Sequence, residues 1–96
     1  MRFEWDPKKE RSNVKKHGLS FAAAKELLSS NSDFLEIYDQ SHSDHEDRFI
    51  AIGPVRRGVI LVVYTERSED TVRILSARPA TQRETELYRQ HMENRS

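Results

Sequence analysis

Basic side chains and possible acid–base groups stand where helices and strands are predicted to end. Lys16 and His17 close the first predicted helix, directly before Gly18. The others lie in the C-terminal half of the chain: Arg67, Arg73, Arg78, Arg83, Glu84 and Tyr88. Metal-free cleavage of an RNA phosphodiester needs a base for the ribose 2′-OH and an acid for the departing 5′-oxygen. It also needs cations for the charge that builds on the phosphate. These residue types therefore predict phosphodiester chemistry, provided that the fold gathers them in one cleft.

Most of these residues also have a purely structural interpretation. Lys16 and His17 suit the last turn of a helix, where cations meet the negative end of the helix dipole. Glu84 completes a capping-box pattern at the start of a helix. Tyr88 fits a core position, and Arg73 fits an exposed strand position paired with an acid across the sheet. The residues alone leave both interpretations open.

Other chemistries have weaker support. His42, Asp44 and His45, with acids at 39 and 47, could supply metal ligands, but a solvated acidic loop explains them better because no cysteine is present. The chain has no nucleophile-elbow motif, and its glycines, at positions 18, 53 and 58, are too far apart for a phosphate-binding loop. We therefore predict neither a metal nor a cofactor.

Length and composition predict a single small domain over residues 1–96. The absence of cysteine fits a reducing cytoplasm, and no apolar run approaches the length of a membrane span. The formal net charge is zero, but residues 1–47 carry 7 Lys+Arg against 10 Asp+Glu, whereas residues 48–96 carry 9 against 6. All nine cations of the second half are arginines, which suit bidentate contact with phosphate or carboxylate.

Cap and turn residues predict three helices. Asp6 and Pro7 fit the N-cap and first position of a helix that runs to His17, and Gly18 fits a left-handed C-cap. Ser20 is expected to cap a second helix, whose apolar residues recur every three or four positions. The capping box at residues 81–84 begins a third helix at the C-terminus.

Five strands are predicted between and before these helices, over residues 1–5, 34–38, 48–53, 59–65 and 71–77. Gly53-Pro54 and the sequence RSED are expected to be turns. Short connections favour an antiparallel meander for the last four strands, and the uniformly apolar run 59–63 favours a central position. The prediction is an α+β fold with a short N-terminal edge strand, two helices, a four-strand antiparallel meander and a C-terminal helix.

Three ordered blocks of the chain resemble the BrnT family, toxins of type II toxin–antitoxin systems. The stretch FEWDPKKERSNVKKHGLSF, residues 3–21, resembles the opening signature W-D-x-x-K-x-x-x-N-x-x-K-H-G-hydrophobic-S-F. The matching residues are Trp5, Asp6, Lys9, Asn13, Lys16, His17, Gly18, Leu19, Ser20 and Phe21. RFIAIG and VILVVYTER match the middle of the family, and RILSARPATQRETELY looks like its I-S-A-R-x-A-T-x-x-E-x-x-x-Y ending.

This resemblance implies a RelE-like fold and a metal-independent ribonuclease that arrests translation. It implies as catalytic residues Lys16, His17, Arg67, Arg78, Arg83, Glu84 and Tyr88, and as RNA-binding residues Lys9 and Arg73. It also implies a cognate antitoxin of the BrnA type with a ribbon-helix-helix part. The antitoxin alone would contact operator DNA, and the toxin would be held there only through the antitoxin. The expected location is cytoplasmic, away from membranes.

A second hypothesis from another class remains open. The chain could be a non-catalytic module whose arginines serve a protein interface. Both hypotheses predict a tight protein partner, so RNA cleavage by the partner-free protein in EDTA distinguishes them.

Overall fold

A computed structural model describes residues 1–30, 33–42 and 46–94 of the chain. Its helices and strands follow the predicted order of strand, two helices, four strands and helix. Their bounds are β1 (Arg2–Glu4), α1 (Pro7–His17), α2 (Phe21–Ser29), β2 (Leu35–Tyr38), β3 (Arg48–Val55), β4 (Gly58–Ser68), β5 (Thr71–Pro79) and α3 (Gln82–Glu93). A short 3₁₀ helix, Gln40–His42, follows β2.

Helix α1 has the caps that its sequence predicts. The Asp6 side chain accepts a hydrogen bond from the backbone N–H of Lys8 at 2.8 Å, and Pro7 occupies the first turn. Gly18 ends the helix with a φ of 69°, a left-handed conformation that favours glycine. Both ends of α1 are therefore fixed, and its basic last turn, with Lys15, Lys16 and His17, lies directly before Gly18.

The start of α2 differs from the prediction. Ser20 occupies the N-cap position, but its side chain makes no capping hydrogen bond. Glu10 of α1 takes over that role, because its Oε2 accepts from the backbone N–H of Phe21 at 2.9 Å. The other oxygen of Glu10 accepts from the indole N–H of Trp5 at 3.2 Å. One carboxylate therefore joins the N-terminal segment, α1 and α2.

The five strands form one sheet in the order β1-β5-β4-β3-β2. Strands β2 to β5 make the predicted antiparallel meander, and β1 joins its edge in parallel with β5. Strand β4 is central, as its apolar sequence predicts. The predicted α+β fold is confirmed.

The predicted turn at Gly53-Pro54 is wrong. Strand β3 continues through both residues to Val55, and the turn to β4 lies at Arg56 and Arg57. Glycine is needed at 53 for close packing: a Cβ there would lie 2.7 Å from the Phe34 Cβ and 2.8 Å from the Leu27 Cδ1. A glycine that permits a close approach inside a strand has the same sequence appearance as a turn glycine.

The two faces of the sheet are covered differently. On β4, Ile60, Val62 and Tyr64 point to the core face, where they pack with buried residues of α2 such as Phe21 and Leu27. On the opposite face, which we call the groove face, α3 contacts β3 and β2. Ile52 and Leu61 are buried there, whereas Val63 is only half-buried. The groove face is therefore open beside β5.

None of the helices in the described part of the chain combines the length and apolar character needed to cross a membrane.

Candidate active site

An open groove separates α1 from the groove face of β5. It consists of two adjoining cavities of about 210 and 350 Å³ that share Lys9, Leu75 and Ser76. The first is also lined by Ser12, Asn13, Lys16 and His17. The second is also lined by Asp39, Arg48 and Val63. We call the two together the α1–β5 groove. It brings the predicted residues Lys9, Lys16 and His17 to one site.

A β-bulge places the polar residues of β5 on the groove face, and one of them, Ser76, lines the groove. On β4, the groove face carries every second residue: Leu61, Val63 and Thr65. Their register partners on β5 are Arg78, Ser76 and Arg73, respectively. A regular strand would point residues 73 and 76 to opposite faces, because side chains alternate. The register shift between Val63 and Tyr64 inserts one extra residue in β5 and corrects this alternation.

Asn13 fixes α1 against the edge of β5. Its Nδ2 donates to the carbonyl of Ala77 at 2.7 Å, and its Oδ1 accepts from the N–H of Ala77 at 3.1 Å. The same Nδ2 donates to the carbonyl of Leu19 at 2.9 Å. Strand β1 pairs only with residues Thr71 to Arg73, so the amide of Asn13 occupies the edge that a longer β1 would have covered. Asn13 thereby holds the basic helix between Ser76 and Arg78.

Arg78 and Glu84 form a bidentate ion pair at the start of α3. Arg78 donates through Nη1 and Nη2 to the two carboxylate oxygens at 2.8 and 2.7 Å. Glu84 also completes the predicted capping box, because its Oε1 accepts from the N–H of Thr81 at 2.8 Å. The hydrogen bonds from Arg78, chiefly, lower the pKa of Glu84 from 4.5 to about 2 and raise the pKa of Arg78. The pair is therefore fully charged at neutral pH.

Two further predicted arginines share one carboxylate at the far end of the groove face. Glu4 of β1 lies 3.5 Å from Nη1 of Arg73 and 3.8 Å from Nε of Arg67. Arg73 thus has the cross-strand acidic partner that its structural interpretation predicted. Arg67 is exposed near the end of β4, away from the residues that line the groove.

Two predicted residues of α3 are not joined to the groove. Tyr88 is half-buried one turn after Glu84, and neither Tyr88 nor Arg83 lines the two cavities. Within the described ranges, Arg83 makes no hydrogen bond or ion pair with another side chain. The predicted set therefore divides. Lys9, Lys16 and His17 line the groove, whereas six predicted residues lie outside its lining: Arg67, Arg73, Arg78, Arg83, Glu84 and Tyr88.

Sequence reasoning missed several residues that line the groove, namely Ser12, Asp39, Arg48 and Ser76. Arg48 begins β3 and is the register partner of Thr65, which is in turn the partner of Arg73. Two serines and a strand-initial arginine have no local pattern that marks them as functional. The asparagine inside α1 was the available signal, since asparagine is a poor helix former and needs a local reason.

The alternative metal ligands Asp44 and His45 lie outside the described residues. Among the residues that the structure describes, no three histidine, aspartate or glutamate side chains are grouped closely enough to hold a metal ion.

Over residues 5–84, the chain matches the family of ribonuclease toxins of type II toxin–antitoxin systems. That family is BrnT, and the chain belongs to it. The Brucella abortus ribonuclease toxin BrnT, whose crystal structure is known, shares 27% sequence identity with this chain. The two structures superpose with a TM-score of 0.64, and the match covers 85% of this chain and 99% of the Brucella chain. No curated protein sequence matches the chain. The family assignment made from the sequence is confirmed, and membership implies an antitoxin partner.

Proposed function

We propose that the chain cleaves RNA internally without a metal ion, that it inhibits translation in this way, and that the α1–β5 groove is its active site. The observation that carries this proposal is the convergence of Lys9, Lys16 and His17 on a cleft whose other wall is β5. A single-stranded RNA lying in the groove would have its phosphates against the lysines and its bases over Val63 and Leu75.

The reaction that suits these groups is an intramolecular transesterification, in which the ribose 2′-hydroxyl attacks the adjacent phosphodiester. The 2′-oxygen attacks phosphorus and loses its proton, the bond from phosphorus to the 5′-oxygen breaks, and that oxygen takes up a proton. The products are a 2′,3′-cyclic phosphate and a 5′-hydroxyl. Histidine exchanges protons near neutral pH, so we assign one of the two proton transfers to His17. Lys16, its neighbour on the groove wall, would stabilise the charge on the phosphate.

Arg78 is proposed as a second charge-stabilising group, at the α3 end of β5. Glu84 holds both terminal nitrogens of Arg78 and therefore fixes the direction of the guanidinium. We accordingly propose Glu84 as a positioning residue. Arg73, with Ser76 and Arg78, extends the polar line along β5 and would contact RNA backbone. The sequence predicted catalytic roles for Arg67, Arg83 and Tyr88 as well; because none of them lines the groove, we propose instead that they contact RNA at its periphery.

The proposed partner is a cognate antitoxin of the BrnA type with a ribbon-helix-helix part. Family membership supports this proposal, because a type II system pairs each toxin with a protein antitoxin. Contact with operator DNA would then be made through the antitoxin, and the chain itself would meet only RNA. The proposed place of action is the cytoplasm.

RNA cleavage in EDTA tests the proposal. The partner-free protein should convert a labelled RNA to fragments with cyclic-phosphate ends. Lys16→Ala and His17→Ala should each slow this by about 10²-fold or more. Lys15→Ala is the matched control, because Lys15 is exposed on the same helix and does not line the groove. Intact RNA at high protein concentration would instead favour the non-catalytic binding module.

A further inference from the structure

A second, chemically different cavity lies on the core face, beyond the end of α2. Its volume is about 90 Å³, enough for one side chain. Three elements supply its apolar walls: the last turn of α2, the segment that precedes β2, and strand β5. Its lining residues are Met1, Leu28, Phe34, Glu36, Tyr64, Glu66 and Val72. Tyr64 and Glu66 point away from the α1–β5 groove, because the groove face of β4 carries Val63 and Thr65.

An aromatic row continues one wall of this cavity. Tyr38, Phe49 and Tyr64 are register partners on β2, β3 and β4. Phe49 stacks on Tyr64 with ring centroids 5.6 Å apart, and Tyr38 meets the edge of Phe49 at the same separation. Tyr38 is 48% exposed. Aromatic faces at this position attract cations as well as apolar groups.

Two carboxylates line the cavity, and in the part of the chain that the structure describes neither makes an ion pair. Glu36 accepts a hydrogen bond from the Tyr64 hydroxyl. Glu66 is exposed and, within the ranges that the structure describes, makes no hydrogen bond or ion pair. No lysine or arginine lines the cavity; Met1 does, and its ammonium group lies 3.7 Å from the Asp70 carboxylate. Burial and the two carboxylates raise the pKa of Tyr64, so its hydroxyl stays protonated and keeps donating to Glu36.

We propose that this cavity is a docking site for a lysine or arginine side chain of the antitoxin. The argument is charge complementarity on an apolar floor. A long cationic side chain would lay its aliphatic stem against Leu28 and Phe34 and bring its charged end to Glu36 and Glu66. Nucleic acid is a poor occupant, because two carboxylates repel phosphate.

The site is independent of the proposed active groove. The two lie on opposite faces of β4, so a partner anchored here leaves the lysines of α1 accessible unless a further part of the same partner reaches them. Substitutions in the cavity should therefore change partner binding while RNA cleavage by the free protein is unchanged. This separates the docking proposal from the ribonuclease proposal.

Titration with small side-chain probes tests the docking site. ¹⁵N-labelled protein would be titrated with N-acetylarginine amide, and the amide signals of Tyr64, Glu66 and Val72 should shift. Glu36→Gln with Glu66→Gln should weaken the apparent affinity about tenfold, the effect of losing about 1.4 kcal/mol. Glutamine at 36 keeps an acceptor for the Tyr64 hydroxyl. Glu69→Gln is the matched control, since Glu69 lies in the same β4–β5 hairpin outside the cavity and should leave the affinity unchanged.

Three results would overturn the proposal. One is the absence of shifts at the cavity. Another is equal binding of N-acetylnorleucine amide, which would make the cavity a site for an apolar anchor. The third is a Glu69→Gln effect as large as that of the double variant, which would indicate attraction by overall charge. If the double variant fails to fold, each single variant is compared with Glu69→Gln, and about threefold weakening is expected for each.

Discussion

Glu84 performs two structural tasks with one carboxylate. It caps α3 through the backbone of Thr81 and holds both terminal nitrogens of Arg78. Glutamine separates these tasks, because its amide oxygen can still cap the helix but its charge is gone.

We expect Glu84→Gln to lower the free energy of unfolding by about 1 kcal/mol, because the pair is partly exposed. Glu84→Ala should cost about 1 kcal/mol more, through loss of the cap. Denaturant unfolding measures both. RNA cleavage should fall in both variants, since Arg78 loses its fixed direction. Equal stability of the two variants would show that the cap contributes nothing.

The same pair predicts a pH dependence. The pKa of Glu84 in the folded protein is about 2, below its ordinary 4.5. A carboxylate whose pKa is lowered by folding stabilises the folded state fully when the pH is above its pKa in the unfolded chain. This contribution disappears as the pH falls toward its pKa in the folded protein. The stability difference between the natural chain and Glu84→Gln should therefore be constant above pH 5 and shrink between about pH 5 and pH 2. A difference that grows on acidification would contradict the assignment.

At the scale of elements, Asn13 decides where α1 lies. All its hydrogen bonds go to backbone groups, and Ala77 is 64 positions away in sequence. Asn13→Ala leaves the backbone of Ala77 unpaired at a buried site.

The expected cost of Asn13→Ala is about 1–3 kcal/mol in the free energy of unfolding. RNA cleavage should fall at temperatures where the variant is still folded, because α1 can shift along β5 and carry Lys16 and His17 with it. Arg11→Ala, exposed on the same helix, is the control and should change neither property. Full cleavage by a folded Asn13→Ala protein would show that the contact does not position the groove.

Local signals predicted the elements well and their meeting points poorly. Asp6, Pro7 and Gly18 mark α1 because caps act on the nearest turn. Gly53 was misassigned because a glycine that admits Phe34 is indistinguishable in sequence from one that forms a turn. The bulge that turns Ser76 toward the groove has no composition signal, since it depends on the register with β4. The candidate site was therefore visible as residue types, but only pairing over long sequence separations shows which residues share a cleft.

At the scale of the whole molecule, the net charge is zero, but the basic side chains of one site and the acidic side chains of the other lie on different faces of the sheet. Lys9, Lys16 and Arg78 lie toward the groove face, whereas Glu36 and Glu66 line the cavity on the core face. This separation does not follow the division of charge between the halves of the sequence. It allows RNA and a basic partner segment to be attracted to different sides of the same small protein.

RNA binding should accordingly depend on salt through the groove lysines. We expect Lys9→Ala with Lys16→Ala to reduce the slope of log affinity against log salt by about 1.4, since each lost contact with single-stranded RNA contributes about 0.7. Lys8→Ala with Lys15→Ala removes the same charge from positions of α1 that do not line the groove and should change the slope much less. Fluorescence anisotropy with a cleavage-resistant RNA measures both. Equal slopes in the two double variants would show that RNA senses only the overall charge.

The most direct test of the proposed active site is to map where RNA lies on the protein. A 2′-O-methyl oligoribonucleotide cannot react, because the attacking hydroxyl is blocked, and it can be titrated into ¹⁵N-labelled protein. We expect the largest shifts at the amides of Lys9, Ser12, Lys16, His17 and Ser76. If the signals of these amides stay unchanged, and shifts appear instead at Glu36, Tyr64 and Glu66, an active site between α1 and β5 is contradicted.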